Sequence, residues 1–171
     1  MEIRIGQAWH ALNKMDKLWK SNLQRPLKIQ FFRATVESVL LYGAECWTLT
    51  TQMNNRIYGV YTRMLRAVLG VSWKDHKTNK ELYGNLCSIT TSLRIRRLNF
   101  IGHSWRRKDE LASQLLLWEP RQGARKRGRP AITYVDQLRT DTGLLIEELR
   151  TIMDDPEEWR KLVKNVRASS N

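Results

Sequence analysis

Apolar residues recur every three or four positions along most of the chain, a spacing that gathers them on one face of an α-helix. This spacing predicts a first helix over residues 3–20. A second helix is predicted from Pro26, a residue suited to a first turn, to Gly43, a residue suited to a helix end. The pattern is most regular over residues 51–69, where apolar side chains fill one side of a helical wheel. The N-terminal half is therefore predicted to be helical.

Three arginines lie on the opposite side of the helix predicted over residues 51–69: Arg56, Arg63 and Arg66. Two interpretations are open. The arginines could form an ordinary solvated outer face, or the helix could lie along a phosphate backbone. The pattern of this helix alone does not choose between them.

The second half of the chain is also predicted to be mostly helical, with polar residues marking helix starts. Thr78, with a glutamate three residues later, forms a capping box, and Thr142 with Glu147 indicates another start. The string DDPEEW predicts a terminal helix capped by Asp155, with Pro156 at its first position. The string SQLLLW is compatible with a strand or a helix.

The string SLRIRRLNFIGHSWRRK at residues 92–108 predicts a strongly basic helix. Its apolar residues are Leu93, Ile95, Leu98, Ile101 and Trp105. They are interleaved with six cationic residues: Arg94, Arg96, Arg97, Arg106, Arg107 and Lys108. The arginine stems are expected to flank whatever surface the apolar side packs on, with the charged groups in reach of a partner.

The composition of the chain favours a polyanionic binding partner. The chain has 171 residues, of which 42% are hydrophobic and seven are tryptophan, which is enough to close a core. Thirty Lys and Arg against seventeen Asp and Glu give a net charge of +13, an imbalance typical of nucleic-acid-binding proteins. Residues 94–129 hold eleven basic and three acidic residues, whereas residues 130–171 hold six basic and eight acidic. The excess charge is thus concentrated in one segment.

The two cysteines argue against several protein classes. Cys46 and Cys87 stand far apart with no second cysteine near either, unlike a zinc ribbon or a disulfide-rich secreted scaffold, and both are expected to be reduced. Adding His76 and His103 gives no compact zinc-ligand spacing. The chain also lacks a start typical of a signal peptide and an apolar run of about 18 residues. An intracellular protein without a membrane partner is expected.

A catalytic site is not predicted. The string IMDD at residues 152–155 has the paired aspartates with which polymerases hold metal ions, but the following Pro156 and two glutamates favour a helix cap. The chain contains no nucleophile elbow, phosphate-cradling glycine loop or Walker-type string. No catalytic residue, metal ligand or cofactor is assigned.

The string RQGARKRGRP at residues 121–130 holds five cations and two glycines and ends in proline, which predicts an exposed loop. Four of its cations, Arg125, Lys126, Arg127 and Arg129, are candidate phosphate contacts. RGRP is also the core of a minor-groove hook, in which two arginines flank a glycine. A nuclear localisation signal or a flexible linker explains the composition as well.

Four strings carry a family resemblance: VLLYGAECWTLT at residues 39–50, RMLRAVLGVSWKDHKTNKELY, RRLNFIGHSWRR and GARKRGRPAITYVDQLRTD. In this order and at these distances they resemble the C-terminal part of the reverse transcriptase of non-LTR retrotransposons, the LINE-like mobile elements. The resemblance extends from about residue 3 to the string EEWRKLV. It therefore covers nearly the whole chain.

The resemblance implies a division of the chain. Residues 1–90 correspond to a palm junction and a thumb-like helical domain, residues 91–130 to a basic nucleic-acid-contacting segment, and residues 131–171 to a helical C-terminal segment. The catalytic aspartates and their magnesium would belong to a palm upstream of Met1. Palm and fingers of the same polyprotein would then be partners of this chain. Because polymerase thumb helices track a template–primer duplex, the resemblance implies phosphate contacts for the three arginines at residues 51–69.

The sequence thus predicts a mainly α fold, a small thumb-like helical bundle with a basic loop and a helical C-terminal segment. The expected function is to hold an RNA template or an RNA–DNA hybrid, in the nucleus or nucleocytoplasm, without a catalytic site of its own. Trp105 or Trp118 is available for base stacking. Two alternatives remain: a minor-groove DNA or chromatin module, and a mobile-element remnant whose charge serves no partner.

Overall fold

In a computed structural model that describes residues 1–118 and 132–168, every regular element is helical. The predicted mainly α fold class is confirmed, and these ranges contain no strand. The chain divides into two compact units. Unit 1 combines residues 1–43 with residues 53–90, and unit 2 combines residues 44–52 with the chain from residue 91 onward. The three-part division implied by the resemblance stays a prediction.

Unit 1 is built from short helices around one long helix. In chain order they are α1 (Glu2–Lys14), α2 (Asp16–Trp19), α3 (Arg25–Phe32), α4 (Ser38–Leu40), α5 (Thr51–Leu69) and α6 (Asn79–Tyr83), and the part of α5 from Met53 belongs to this unit. A π-helical turn, Arg33–Glu37, connects α3 to α4 without a break. The helix predicted from Pro26 to Gly43 is therefore present, with a wider turn in its middle.

The helix predicted over residues 3–20 is divided at Met15. This residue leaves the helical conformation, with φ −107° and ψ 20°, and its N–H donates to the Leu12 carbonyl at 3.1 Å. The break lets the buried Trp19 donate its indole N–H to the same carbonyl at 2.8 Å. Apolar residues whose spacing fits one continuous helix therefore lie on two separate helices, α1 and α2.

Helix α5 contributes more buried residues to unit 1 than any other helix of that unit. Its buried residues are Ile57, Tyr61, Thr62, Met64, Leu65 and Val68, so the predicted apolar side is confirmed. The Tyr61 ring packs against Phe32 with centroids 5.3 Å apart, and its hydroxyl donates to Glu37 Oε2 at 2.8 Å. Burial, and then the Glu37 carboxylate, raise the pKa of Tyr61. The π-helical turn thereby carries a buried acid that has a fixed partner.

Unit 2 contains five helices among the residues that the structure describes: α7 (Ile89–Arg106), of which the part from Thr91 belongs to this unit, α8 (Leu111–Leu115), α9 (Tyr134–Thr142), α10 (Ile146–Asp154) and α11 (Pro156–Ala168). Their common core includes Leu98, Ile101, Leu116, Leu117, Val135, Leu138, Ile146, Leu149, Met153, Trp159 and Val166. The string SQLLLW, open between strand and helix, ends α8 and continues as a turn that contributes two core leucines.

Helices α7 and α11 approach each other closely at a glycine. The Trp159 indole is buried and donates its N–H to the Leu98 carbonyl of α7 at 3.0 Å. A Cβ atom at Gly102 would lie 2.1 Å from Trp159 Nε1, closer than any real contact. Glycine at this position therefore provides the space for the tryptophan that closes the core.

Of the three helix starts predicted from Thr78, Thr142 and Asp155, two are confirmed and one is wrong. Thr78 and Glu81 form a complete capping box at α6. At α11, Asp155 Oδ1 accepts the N–H groups of Glu157 at 2.8 Å and of Glu158 at 3.3 Å, so this aspartate is a helix cap.

Thr142 does not begin a helix. It is the last residue of α9, which stops at Gly143 with φ 74°, a left-handed conformation that favours glycine. The next helix starts after Leu145, whose N–H donates to Glu148 Oε2 at 2.8 Å. The first turn of α10 is thus closed by an acid one position beyond the glutamate chosen from the sequence.

Candidate nucleic-acid interface

The cations of residues 92–108, on α7 and directly after it, divide into a buried group, a paired group and an exposed group. The division follows the helix itself: positions 93, 97 and 101 are four residues apart and share a face. Leu93 and Ile101 are core residues on that face, so Arg97 between them is also turned inward. This spacing is visible in the sequence and identifies the arginine that differs from its neighbours.

Arg97 is a correction to the predicted contact surface. Only 2% of it is exposed, and its guanidinium donates to Asp141 and, at 3.1 Å, to the Trp47 carbonyl. Its Nε is buried and has no hydrogen-bond partner among the described residues. A phosphate on the surface cannot reach this group, so Arg97 is a structural residue of unit 2 and not part of a binding surface.

Asp141 is the centre of a buried polar network that sequence reasoning missed. Besides Arg97, it accepts from Gln137 Nε2 at 3.3 Å and lies 3.5 Å from Arg94 Nε. Gln137 in turn accepts the N–H of Leu49 at 3.0 Å. Burial raises the pKa of Asp141, and the arginines and Gln137 act in the opposite direction. The network joins residues 44–52 to α7 and α9.

Two further predicted contacts, Arg94 and Arg96, are partly exposed and paired. Arg94 keeps more than a third of its side chain in solvent beside Asp141, and Arg96 Nη1 lies 3.5 Å from Glu45 Oε1. Near them the Tyr134 hydroxyl donates to the Glu45 carbonyl at 3.1 Å, and burial raises the pKa of this tyrosine. These two arginines are therefore oriented by acids but not removed from solvent.

The exposed group comprises Arg106, the last residue of α7, with Arg107 and Lys108, which follow it directly. We call these three residues the basic end of α7. Arg106 makes no ion pair with a described residue, and Arg107 pairs with Glu110 three positions along at 2.7 Å. Lys108 Nζ donates to Asp154 Oδ1 at 2.8 Å and lies 4.8 Å from the centre of the Trp105 ring. Pairs this exposed contribute about 0–1 kcal/mol, so a phosphate can replace the carboxylate at small cost.

A pocket of about 270 Å³ opens beside the basic end of α7. Its lining residues are Trp105, Lys108, Ser113, Gln114, Leu117 and Arg150. Arg150 lies on α10, is exposed, and forms no ion pair within the described ranges. The pocket thus combines two cations with an indole and an amide, a set that suits a phosphate together with part of a sugar or base.

The Trp105 indole helps to hold this cluster together. Its N–H donates to Asp154 Oδ1 at 3.0 Å, and Asp154 also accepts from Lys108. The indole is therefore half-buried and engaged, whereas Trp118, the other tryptophan considered for stacking, is exposed. Hydrogen bonds from Lys108, and next from Trp105, hold the pKa of Asp154 below the ordinary carboxyl value.

Replacing Lys108 by alanine is expected to raise the pKa of Asp154 toward its ordinary value, because the leading cause of the depression is removed. Since the folded-state pKa lies below the unfolded one, the pair stabilises the fold at neutral pH and stops doing so as the pH falls through the folded pKa. Carboxyl carbon NMR titration measures the pKa of Asp154 in the wild type and in the variant. Asp136, whose pKa is lowered by Thr133, serves as the control and should not move. An unchanged Asp154 titration contradicts the assignment.

The arginines of α5 have separate roles in unit 1. Arg56 Nη2 lies 2.6 Å from Glu2 Oε2 on the surface. Arg66 donates to the Lys77 carbonyl at 2.8 Å and to Asn79 Oδ1 at 3.0 Å. Arg63 is exposed and, within the part of the chain that is described, has no ion-pair partner. Of the three predicted phosphate contacts, Arg63 has no ion-pair partner among the described residues, Arg56 pairs with Glu2 on the surface, and Arg66 holds the loop at residues 77–79.

The remaining predicted contacts, Arg125, Lys126, Arg127 and Arg129, lie outside the described residues, as does the RGRP hook. Residues 1–118 and 132–168 contain no cluster of three His, Cys, Asp or Glu side chains that could hold a metal ion. None of the helices in these ranges combines the length and apolar character needed to cross a membrane.

Comparison with known proteins shows a distant similarity to a transposon-derived protein. The chain is 24% identical, over 174 aligned residues, to an uncharacterized transposon-derived protein of Caenorhabditis elegans. The aligned region covers 94% of this chain and 62% of the worm protein, so the chain spans less than two thirds of that relative. No family model matches, and no solved structure matches.

Proposed function

We propose that this chain is a nucleic-acid-binding part of a mobile-element RNA-directed DNA polymerase, which holds an RNA template or an RNA–DNA hybrid for a catalytic site carried elsewhere. The similarity to a transposon-derived protein supports a mobile-element origin. The four strings that resemble a non-LTR reverse transcriptase support the narrower assignment. On this proposal magnesium is held by a palm, and the chain acts in the nucleus or nucleocytoplasm, where it meets RNA and DNA.

The observation that carries the proposal is the basic end of α7 with its pocket. Arg106, Arg107 and Lys108 are exposed on consecutive positions, and Arg150 adds a fourth cation from α10. The acids that accompany them, Glu110 and Asp154, form exposed pairs that a phosphate can replace. Counterion release from bound nucleic acid then supplies affinity without sequence preference.

Partly exposed arginines elsewhere extend the proposed contact set. In unit 2 they are Arg94 and Arg96, and in unit 1 they are Arg56 and Arg63. Each keeps a large part of its side chain in solvent, so each can contact a phosphate without unfolding the helix that carries it. These residues are expected to add smaller increments than the basic end of α7, because most are already oriented toward a carboxylate.

The test is the salt dependence of binding. Fluorescence anisotropy with a labelled single-stranded RNA and a labelled RNA–DNA hybrid gives the slope of log K against log salt concentration. Replacing Arg106, Arg107 and Lys108 together by alanine is expected to lower the slope by roughly 0.7–0.9 for each phosphate that the variant no longer neutralises. Sequence preference should not change, since phosphate contacts carry no base information.

The matched control removes three exposed cations from α11, namely Arg160, Lys161 and Lys164. It changes the net charge by the same amount and is expected to leave the slope nearly unchanged. Equal effects of the two triple variants would mean that binding follows net charge and not this surface. No binding of the wild-type chain to either probe at low salt would refute the proposal and favour the remnant alternative.

Binding to A·T-rich and to G·C-rich duplex DNA distinguishes the minor-groove-hook alternative from the proposed function. A minor-groove hook prefers A·T-rich over G·C-rich duplex, because the guanine amino group obstructs the groove floor. Removing Arg125, Lys126, Arg127 and Arg129 together should then abolish that preference. If the wild-type chain shows no such preference, the four cations act at most through phosphates, as the proposed function requires.

A further inference from the structure

The loop between α5 and α6 presents a tryptophan to solvent. Trp73 is 78% exposed, the largest exposed fraction among the large apolar side chains of the described residues. Burial of a large apolar side chain stabilises a fold, and an indole this exposed contributes little to the core, so its ring face is open to a ligand. The sequence of this stretch indicates only a polar turn.

The turn that carries Trp73 comprises residues 72–76 and is closed by its own hydrogen bonds. Ser72 N donates to Asp75 Oδ2 at 2.7 Å, and Ser72 Oγ accepts from Lys74 N at 3.4 Å, which together make a capping box. His76 adopts a left-handed conformation, φ 49°, and its N–H donates to the Trp73 carbonyl at 3.3 Å. A histidine held in this uncommon conformation indicates that the surrounding contacts fix the turn.

The residues that follow the turn are tied to the core of unit 1. Arg66 on α5 donates to the Lys77 carbonyl and to Asn79 Oδ1, and a second capping box starts α6. The buried Tyr83 of α6 shares a hydrogen bond of 2.9 Å with Thr62 Oγ1, and burial raises its pKa to about 12. Hydrogen bonds to α5 therefore hold in place the chain that follows the exposed indole.

Charge around the turn favours a polyanion. Lys74, Lys77 and Lys80 are exposed, and Lys74 Nζ lies 5.9 Å from the centre of the Trp73 ring. The two nearby carboxylates keep their charge but are turned toward the backbone, where Asp75 accepts from Ser72 and Glu81 accepts from Thr78, so residues 72–81 carry three lysines against two acids. The lysines are thus left as the charged groups that can contact a ligand lying on the indole.

We propose that Trp73 is a stacking site for an unpaired base of single-stranded nucleic acid, with Lys74, Lys77 and Lys80 contacting the flanking phosphates. The proposal rests on the proposed function in taking nucleic acid as the partner. It adds that unit 1 binds the unpaired strand through a base and not only through phosphates. An aromatic face in a cationic surrounding is the arrangement by which proteins hold single strands without sequence preference.

The experiment compares Trp73→Ala and Trp73→Phe in the full chain on three probes: oligouridylate, oligothymidylate and an abasic oligonucleotide of the same length. Trp73→Ala is expected to lose about tenfold in affinity for both base-bearing probes and little for the abasic one. Trp73→Phe should retain most of the affinity, because phenylalanine also stacks. The salt slope of Trp73→Ala should equal that of the wild type, since stacking releases no counterion.

Ile3→Ala is the matched control, because Ile3 is an apolar side chain of unit 1 with 77% exposure. It should leave affinity for all three probes unchanged. A second readout is quenching of tryptophan fluorescence by oligouridylate, which should be smaller in Trp73→Phe than in the wild type. Thermal unfolding of each variant should match the wild type, since Trp73 contributes little to the core.

The outcomes separate this inference from the proposed function. Unchanged affinity of Trp73→Ala for oligouridylate and oligothymidylate, with weaker binding by the triple variant of the basic end, overturns the stacking site alone. An equal loss on the abasic probe or on a duplex overturns it as well, because the contact would not involve an unpaired base. Failure of the wild-type chain to bind any probe refutes both proposals.

Discussion

Gly102→Ala is expected to destabilise unit 2 by about 2–4 kcal/mol, although alanine normally favours a helix over glycine. The added methyl group would meet Trp159 Nε1 at 2.1 Å and Cδ1 at 2.5 Å, so the indole or one of the two helices must move. Overpacking of this kind costs about 1–3 kcal/mol, and losing the bond from the indole to the Leu98 carbonyl costs about 1 kcal/mol more. Urea denaturation measures the change.

The matched control is a second helical glycine, at which the same substitution should stabilise the protein instead of destabilising it. Gly59 lies in the interior of α5, and a Cβ there would meet nothing within 4 Å. Gly59→Ala should therefore stabilise the protein by about 0.5–1 kcal/mol, the intrinsic difference between the two residues in a helix. Combining Gly102→Ala with Trp159→Leu should cost no more than Trp159→Leu alone, because the smaller side chain makes room. A stabilising effect of Gly102→Ala by itself would show that α7 and α11 are not in close contact.

Asp141→Ala is expected to cost about 3–5 kcal/mol, because it leaves the guanidinium of Arg97 buried without its counter-charge. It also removes the acceptor of Gln137 and the acid beside Arg94. The expected result is a lower urea midpoint and, at 37 °C, a fraction of molecules with unit 2 unfolded. Far-UV circular dichroism should show the loss of helix.

A double variant separates charge burial from packing. Arg97→Met with Asp141→Leu replaces the buried pair by apolar side chains of similar volume and should recover most of the stability lost in Asp141→Ala. The surface pair of Arg139 with Asp136 is the control, and Arg139→Ala should cost less than about 1 kcal/mol. If Asp141→Ala were as mild as Arg139→Ala, the Arg97 guanidinium would have to reach water.

The helices that the sequence predicts well are those whose signals are local. α5 combines a long apolar spacing with a glycine at its end, and α11 has Asp155 and Pro156 at its start; both are present as predicted. The error at Thr142 arises because a threonine can end a helix as readily as cap one. Gly143 and Glu148, both visible in the sequence, are the residues that decide it.

The candidate interface depends on contacts between residues far apart in the sequence, which local patterns do not indicate. Its cationic character follows from composition, and the inward position of Arg97 follows from its spacing to Leu93 and Ile101. The partners do not follow, because Asp141 lies 44 residues from Arg97 and Glu45 lies 51 residues from Arg96. Only the folded chain shows which arginines are occupied by acids. The exposure of Trp73 is not predictable either, since no sequence pattern indicates that an indole stays in solvent.

The participation of residues 44–52 in unit 2 has a consequence for how the protein is made. Glu45, Trp47 and Leu49 bond to Tyr134, Arg97 and Gln137, so this short segment leaves the ribosome 50 to 89 residues before its partners. Domains usually fold as they emerge, but this one must wait for α9. We therefore expect nascent chains stopped before Asp141 to be digested rapidly by protease within unit 2, and chains in which α9, α10 and α11 have emerged to be resistant. Emergence of α9, rather than emergence of α7, then sets the earliest moment at which residues 44–52 find their partners.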